Sequence, residues 1–346
     1  MKKNRFFLYI LALTLLLTSS LSFSGCNASE QKISKAGFYF DTIISVTIYD
    51  ASKEHLLDEC FKLADMYEGY FSKTVADSDV SKINAAAGTP VEVHDETIEL
   101  LELGIYYGNL SNGKFDITIG KLSDLWDFST KALIDESEMN ASYLPTASSI
   151  EAALATVDYT NLSIDGNLVT LKNPESAIDL GGIAKGYIAD KMKEFLNENG
   201  VTSGIINLGG NVLTIGTKKD GSAYTIGIQK PFSEDGSAIA SVEITDKTVV
   251  TSGIYERYFK VDGKLYHHIL DVTTGYPYEN ELLEVTIITD SSANADALST
   301  TCFSLGLEDG LALIESLKDT EAIFITDDYE MHTTSGIGTT IPINKL

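Results

Sequence analysis

Positive charge is scarce in this sequence. Its 346 residues include 25 lysines and arginines against 50 aspartates and glutamates, which gives a formal charge of −25. Residues 1–25 hold three of the cations and no acid, so the remainder carries −28. A surface this acidic argues against nucleic acid as a partner and favours metal ions or basic partners. A phosphorylated ligand would need local cations or a metal to bind here.

Cysteine is also scarce, with three residues in the whole sequence. Cys26, Cys60 and Cys302 lack the spacing of a metal site, and the sequence suggests no disulfide between them. Cys60 and Cys302 fall in apolar helical patterns, which predicts small core residues. The chain also lacks repeats, and no linker interrupts residues 36–346. One folding unit with a substantial core is therefore expected over that range.

Residues 36–346 mix strand and helix patterns, which predicts an α+β fold. Alternating apolar and polar residues indicate a strand or hairpin arm over 38–49, and an apolar run indicates a strand at Leu283–Thr289. Apolar residues at helical spacing predict the helices. They span Ser52–Tyr70, Asp95–Ser111, a segment ending near Asn199, Ser292–Leu305 and Leu307–Leu317.

The organising stretch is residues 179–190, where an apolar strand end passes through two glycines into a helix. A helix N-terminus offers unpaired N–H groups and a positive dipole end, which suit a phosphate. Lys185 places a cation in the first turn, where the dipole alone would favour an acid. The stretch therefore indicates a bound anion. The alternative is an ordinary strand–turn–helix with a solvated lysine.

Residues 1–25 read as a targeting segment, with a basic start before an apolar run at Phe6–Leu17. The segment ends in Gly25-Cys26, which resembles the lipobox of bacterial lipoproteins, in which the cysteine is lipidated. We therefore expect a lipoprotein signal peptide over 1–25, lipidation at Cys26 and a polar tether over 26–35. A plain secretory peptide or a membrane anchor is the alternative, but the apolar run is short for a span.

Several motifs together resemble the ApbE-like FAD:protein FMN transferases, in the order of that family and over nearly the whole mature chain. The matching motifs are residues 77–84, 115–120 with Leu125-Trp126, 179–186, 207–210, 251–253, 268–271 with Thr274-Gly275, and 295–300. The resemblance implies a two-lobed mixed α/β domain over 36–346 with the FAD site between the lobes. It also implies cleavage of FAD, attachment of FMN through its phosphate to a threonine of another protein, release of AMP, and dependence on Mg²⁺.

Site residues carry over by position. The resemblance maps FAD contacts to Phe40, Lys114, Phe115, Asp116, Asp179, Lys185 and His268. It maps the metal ligands to the Gly182 carbonyl and the side chains of Asp296 and Thr300. His268 and the nearby Asp271 become the candidate catalytic pair. The acceptor would be an extracytoplasmic or membrane redox protein, modified on the outer side of the cell membrane by a lipid-anchored enzyme.

The chemistry of the residues themselves agrees with the predicted metal ligands and with a role for His268. Asp296 and Thr300 are four apart, so on a helix they share one face, and hard oxygen donors suit Mg²⁺. The alternative is that Asp296 is an ordinary acid near a helix N-terminus and that Thr300 is a packed threonine. His268 is a core histidine, a ligand contact or a general base; on a strand His267 would face the opposite way. Asp271 could orient or polarise His268.

The segment after Gly113 is an aromatic and apolar surface around Lys114 and Asp116. It is either a packed core corner or a surface that binds a flat ring. Three positions depart from the family pattern. Phe40-Asp41-Thr42 stands in place of Met-Gly-Thr, Val272 in place of a frequent proline, and Thr74 in place of an aromatic residue.

Three other functions remain open from the sequence. A non-catalytic flavin-binding lipoprotein would bind FAD without transfer, and an FAD pyrophosphatase would release free FMN. A solute-binding lipoprotein would share the signal and the acidic body, but it gives no reason for Asp296, Thr300 or the paired glycine turns.

Overall fold

The computed structural model describes residues 31–346, and we number its helices and strands in chain order. The helices are α1 (His55–Phe71), α2 (Asp79–Ala85), α3 (Asp95–Leu110), α4 (Gly120–Trp126), α5 (Phe128–Lys131), α6 (Ala147–Leu154), α7 (Ala184–Glu198), α8 (Ser292–Leu305) and α9 (Leu307–Ser316). The first strands are β1 (Ile33–Tyr39), β2 (Thr42–Ile48), β3 (Val91–Glu92), β4 (Leu162–Asp165), β5 (Leu168–Leu171), β6 (Ser203–Leu208), β7 (Asn211–Gly216) and β8 (Tyr224–Gln229). The remaining strands are β9 (Ala238–Ile244), β10 (Thr248–Gly253), β11 (Tyr258–Val261), β12 (Lys264–His267), β13 (Leu282–Thr289), β14 (Glu321–Thr326), β15 (Met331–Thr333) and β16 (Ile343–Lys345).

The centre of the fold is an antiparallel sheet with strand order β1-β2-β6-β7-β10-β13-β14-β15. All eight residues of β13 are buried, because the sheet is covered on both faces there. Val285 and Ile287 belong to the core that includes α7 and α8, whereas Ile288 belongs to a second core with β8 and β9. A strand covered on both faces has no solvent-facing side, so its sequence is mostly apolar, here interrupted by Glu284, Thr286 and Thr289.

Three smaller sheets complete the fold, with strand orders β16-β9-β8, β3-β5-β4 and β11-β12. The hairpin β11–β12 turns at Asp262 and Gly263, which both have positive φ. This is the left-handed geometry that the Asp-Gly pair predicts for a tight hairpin. The hairpin matters for the site because His268 follows directly after β12.

The N-terminal strand begins earlier than expected. Ile33, Ser34 and Lys35 fall within the predicted tether, yet they pair with Ile48, Thr47 and Val46 as the first residues of β1. The polar composition of this segment suits an edge strand, because most of its side chains stay exposed. The tether prediction is therefore wrong for residues 33–35. The signal peptide over 1–25 and the lipidation site at Cys26 lie outside the described residues.

The predicted α+β class is confirmed, since helices pack on an extended antiparallel sheet. The division into two lobes stays a prediction. Across residues 31–346, none of the helices has the length and apolar character needed to cross a membrane.

Candidate active site

Two antiparallel helices, α7 and α8, form the base of the candidate site, and each caps the other. The Asp296 carboxylate of α8 accepts the Gly186 N–H of α7 at 3.0 Å. In return, the Asp190 carboxylate of α7 accepts the N–H groups of Ser292 and Ala293 at 2.8 and 3.0 Å. Each carboxylate thus satisfies donors that a helix N-terminus leaves unpaired. We call this arrangement the reciprocal cap.

Gly186 makes the reciprocal cap possible. A Cβ atom at this position would lie 2.1 Å from the Ser292 carbonyl oxygen, so only glycine allows the two backbones to approach this closely. One donor at the N-terminus of α7 is therefore already in use, and an anion bound there stays a prediction. The Gly186 N–H already binds Asp296, and the Lys185 ammonium supplies the positive charge facing solvent.

The three predicted metal residues come together beside Lys185. The Lys185 ammonium lies 3.5 Å from Asp296 Oδ1 and donates to the Gly181 carbonyl at 3.0 Å. Thr300 lies one turn after Asp296 on α8, and its hydroxyl is 3.2 Å from the Ser252 hydroxyl at the end of β10. The Cβ position of Gly182 is 3.8 Å from Thr300 Oγ1. Residues more than a hundred positions apart therefore meet at one point.

The chemistry of this group fits a divalent ion. It offers a carboxylate, a hydroxyl and a backbone carbonyl, which are oxygen donors of the kind Mg²⁺ takes while keeping several waters. The Lys185 ammonium already lies between the Gly181 carbonyl and Asp296, so a cation is favoured there. Within residues 31–346, no three His, Cys, Asp or Glu side chains converge on one point. Any metal in this group would thus have Asp296 as its one carboxylate ligand.

Asp179 holds the turn that leads into α7. Its carboxylate accepts the Gly181 N–H at 2.9 Å and the Ser123 hydroxyl at 2.7 Å, and it pairs with the Lys73 ammonium at 2.9 Å. Burial would raise the pKa of Asp179, but the Lys73 charge and these hydrogen bonds outweigh it and keep the pKa below its usual range. Lys73 also pairs with Asp124 at 2.6 Å. Asp179 therefore stays ionised and fixes the glycine turn.

Lys114, Phe115 and Asp116 differ in what they offer a ligand. Phe115 is buried and lies under the glycine turn, with Cε2 at 3.2 Å from the Cβ position of Gly182. Asp116 is buried, and its carboxylate oxygens accept the N–H groups of Thr118 and Tyr159 at 2.7 and 2.9 Å. Burial raises the pKa of Asp116 despite these hydrogen bonds.

Of Lys114, Phe115 and Asp116, Lys114 is the residue that lines a cavity. Its ammonium donates to the Ser304 carbonyl at 3.3 Å. Lys114 lines a cavity of about 330 Å³ together with Tyr278, Asn280, Glu281 and residues 304–309. Of the two alternatives left open by the sequence, the burial of Phe115 favours the packed corner, and binding of a flat ring against this segment stays a prediction. Phe115 belongs to a packed corner, and Lys114 borders open space.

Phe40 lies at the tip of the β1–β2 hairpin. Phe40 and Asp41 have φ values of 50° and 56°, so this two-residue turn is left-handed throughout. The Phe40 N–H donates to the Glu68 carboxylate of α1 at 2.7 Å. Within residues 31–346, no hydrogen bond joins Phe40 to α7 or α8. A flavin contact at Phe40 stays a prediction.

His267 and His268 have different surroundings, as expected for successive residues of an extended segment. His267 is buried, and both ring nitrogens are used: Nε2 donates to the Tyr278 carbonyl at 3.0 Å, and Nδ1 accepts the Ile269 N–H at 3.3 Å. His268 is half-buried, and its Nδ1 lies 3.3 Å from the Arg257 carbonyl oxygen. A carbonyl only accepts, so Nδ1 carries the proton and Nε2 is left with a free lone pair.

The charge state of His268 follows from its surroundings. Loss of water around the ring, together with the nearby Arg257 and Lys185 charges, lowers the pKa of His268 well below 6.5. The imidazole is therefore neutral at pH 7. A neutral ring with a free Nε2 has the form that a general base requires.

Asp271 builds a turn in this structure. Its carboxylate accepts the Thr273 N–H at 2.8 Å and the Thr274 hydroxyl at 3.0 Å. In the described part of the chain, no hydrogen bond joins Asp271 to His268, whose ring is held by Arg257 instead. The expected orientation of His268 by Asp271 therefore has no support in the hydrogen bonding.

Glu256 and Arg257 are the residues that sequence reasoning missed. Glu256 is exposed, yet loss of water raises its pKa to about 7, against the opposing charges of Lys185 and Arg257. Asp179 and His268 are likewise in contact with solvent and still strongly desolvated. The charges of Lys185 and Arg257 act on both Glu256 and His268, and that of Asp296 acts on Glu256, so these five residues lie near one another. We refer to the partly exposed surface where they meet as the cleft.

Comparisons with known proteins show the family of this chain. The model of the ApbE family matches residues 40–324. A FAD:protein FMN transferase of Klebsiella pneumoniae (strain 342) is 38% identical over 281 residues, which cover 80% of this chain and 84% of the relative. Another, from Treponema pallidum (strain Nichols), is 31% identical over 333 residues and 90% of each chain. The solved ApbE protein of Thermotoga maritima MSB8 superimposes with a TM-score of 0.79 at 30% identity, over 88% of this chain and 97% of that one. The chain belongs to the ApbE family.

Proposed function

We propose that this chain is a FAD:protein FMN transferase, which moves the FMN half of FAD onto a threonine of an acceptor protein. The convergence of Gly182, Lys185, Asp296 and Thr300 in a cleft with a neutral His268 supports this most directly. The Lys185 ammonium suits the negative charge of a pyrophosphate, and the oxygen ligands suit a metal ion that binds with it. The neighbouring base suits an alcohol nucleophile.

The proposed reaction is a phosphoryl transfer. The threonine Oγ forms a bond to the phosphorus of the FMN half, and the bond from that phosphorus to the bridging oxygen breaks. The electron pair leaves on AMP, and the threonine proton passes to a base. In such reactions positioning and neutralisation of charge dominate over any single base.

Each residue of the cleft has a distinct part in this proposal. Lys185 offsets phosphate charge, and Asp179 with Lys73 holds the glycine turn in place. His268 Nε2 accepts the threonine proton, because its Nδ1 proton is bound to the Arg257 carbonyl. Gly182, Asp296 and Thr300 would hold Mg²⁺, which supplies neutralising charge at the phosphate when bound.

Gly182→Val tests the proposed contact at the glycine turn. The φ of Gly182 lies outside the left-handed region, so valine is compatible with the backbone. The added methyl groups would fill the space between Phe115 and Thr300, 3.2 and 3.8 Å from the Cβ position. We expect a folded protein whose affinity for FAD falls by about tenfold or more, or ~1.4 kcal/mol. Calorimetric titration with FAD measures the effect, and an unchanged affinity contradicts the proposed contact.

An acceptor assay separates the proposed function from its alternatives. The chain would be incubated with FAD, Mg²⁺ and a threonine-bearing acceptor, and products followed by chromatography and by mass spectrometry of the acceptor. AMP release with FMN on the acceptor supports the transferase. Free FMN without acceptor indicates an FAD pyrophosphatase, and FAD binding without AMP indicates a non-catalytic flavin-binding protein.

We further propose that the enzyme is lipid-anchored at Cys26 and faces the outer side of the cell membrane. The basic start, the apolar run and Gly25-Cys26 support this. Cys26→Ser is expected to move most of the protein out of the membrane fraction or leave it as the unprocessed precursor. Cell fractionation with intact-mass analysis checks this. Normal processing with full membrane retention would rule out the anchor.

A further inference from the structure

Arg257 is the only arginine in residues 31–346, and its side chain has no partner there. No carboxylate oxygen lies within 4.0 Å of its guanidinium, whereas lysines such as Lys73, Lys193 and Lys264 are paired within that distance. In the same part of the chain no hydrogen bond and no aromatic ring engages the guanidinium. Arg257 is half-buried, and charged side chains that leave solvent are usually paired, so an unpaired guanidinium at this place is available to a ligand.

The backbone places Arg257 at the reaction centre. Its carbonyl oxygen accepts the His268 N–H at 3.1 Å and faces the His268 Nδ1 at 3.3 Å. Its charge and that of Lys185 both act on His268 and on Glu256. Two cations from distant segments therefore face one cleft. Lys185 has a carboxylate within 4.0 Å, namely Asp296 at 3.5 Å, whereas no carboxylate of residues 31–346 lies that close to the Arg257 guanidinium.

An unpaired guanidinium whose charge acts on the same two residues as that of Lys185 is suited to a ligand with more than one negative charge. The planar fork of arginine matches two phosphate oxygens at once, which a lysine cannot do. The chain as a whole is strongly acidic, so this local positive pair is unusual within it. The charge pattern of the cleft thus points to a pyrophosphate.

We propose that Arg257 binds the pyrophosphate of FAD through its guanidinium and stabilises the charge on the phosphate oxygens during transfer. This inference rests on the proposed function. As the threonine Oγ–phosphorus bond forms and AMP leaves with the electron pair of the broken bond, negative charge is redistributed over the phosphate oxygens. The backbone of Arg257 is held at His268 by its carbonyl oxygen, so its side chain starts from a fixed point beside that charge.

Calorimetric titration of FAD in the presence of Mg²⁺ tests the proposal with Arg257→Gln and Arg257→Lys. We expect the glutamine variant to bind FAD about 10- to 100-fold more weakly, the range for loss of charge-assisted hydrogen bonds. The lysine variant should recover part of this loss because it keeps the charge without the fork. Added salt should weaken FAD binding less in the glutamine variant than in the wild type.

Lys264→Gln is the matched control. It removes one positive charge from the β11–β12 hairpin beside His268, but its ammonium is exposed and paired with Glu279 at 2.5 Å. We expect its FAD affinity to stay within about twofold of the wild type, since exposed charges contribute little. A loss equal to that of Arg257→Gln would mean that overall charge, and not Arg257, sets affinity.

Two results would overturn the inference. One is FAD affinity of Arg257→Gln within about twofold of the wild type. The other is equal loss in the glutamine and lysine variants with a lowered unfolding temperature, which would indicate a structural role. The proposed function fails separately, if the wild type binds FAD but releases no AMP with an acceptor. The binding comparison still decides the role of Arg257 in that case.

Discussion

Asp296→Asn is expected to slow FMN transfer by about 100-fold or more, the range for losing one group that stabilises transition-state charge. Asparagine keeps the shape and can still accept the Gly186 N–H that Asp296 accepts at 3.0 Å. It removes the only carboxylate charge of the predicted metal group, so affinity for Mg²⁺ should fall. Raising Mg²⁺ to millimolar concentrations should restore part of the rate, as measured by AMP release at several Mg²⁺ concentrations.

Asp190→Asn is the matched control for this experiment. Asp190 is the other carboxylate of the reciprocal cap, and it accepts the N–H groups of Ser292 and Ala293 without belonging to the predicted metal group. We expect it to lower the unfolding temperature and leave the Mg²⁺ dependence of transfer unchanged. The metal assignment is wrong if Asp296→Asn transfers FMN at the wild-type rate in excess chelator.

His268→Asn is expected to reduce kcat/KM by about 10²- to 10⁴-fold, the usual contribution of a general base. The asparagine amide can still donate to the Arg257 carbonyl in place of Nδ1, so the local backbone should be preserved. No atom then replaces Nε2 as proton acceptor. Steady-state kinetics with FAD and acceptor measure the loss.

The pH profile of the wild type gives a second test of this role. A base works only when unprotonated, and the pKa of His268 is held well below 6.5 in the folded protein. The active form is therefore fully populated at pH 6.5, and kcat/KM should show no decline near that pH from this group. A decline centred at pH 6.5 that disappears in His268→Asn would contradict the desolvated, neutral histidine.

His267→Asn is the control for its neighbour. Both nitrogens of His267 are hydrogen-bonded in the core, to Tyr278 and Ile269. Replacing it should cost stability, because a buried polar partner is lost, while the remaining folded protein keeps its dependence on pH. A stronger effect on catalysis from His267 than from His268 would reverse the assignment.

Local sequence patterns predicted the elements of the fold well. The helix Ser292–Leu305 has the predicted boundaries, and Leu283–Thr289 is observed with one added residue, Leu282. Each depends on residues close in the chain: a serine cap and glycine end for the helix, and an apolar run for the strand. Strand β1 was placed too late because an edge strand can be polar, and its partner strand, not its own composition, determines it.

Contacts within the site could be predicted from the sequence only where both residues lie in the same motif. Asp296 and Thr300 share a helix face by spacing alone, so their proximity could be foreseen. The ion pair of Lys73 with Asp179 and the bond of His268 to Arg257 join segments that only the tertiary fold brings together. No spacing rule connects such residues. Arg257 could have been noticed as the sole arginine after residue 25, but its lack of a partner within residues 31–346 is visible only in the structure.

The reciprocal cap also links the local unfolding of the first turn of α7 to that of α8. Helix ends usually fray one at a time, at little cost in free energy. Here, opening the first turn of α7 leaves the Asp296 carboxylate without its donor, and opening that of α8 does the same to Asp190. Opening either turn thus costs hydrogen bonds to the other helix, which couples the two openings. Because Asp296 belongs to both the cap and the predicted metal group, opening the first turn of α7 also releases the carboxylate of that group.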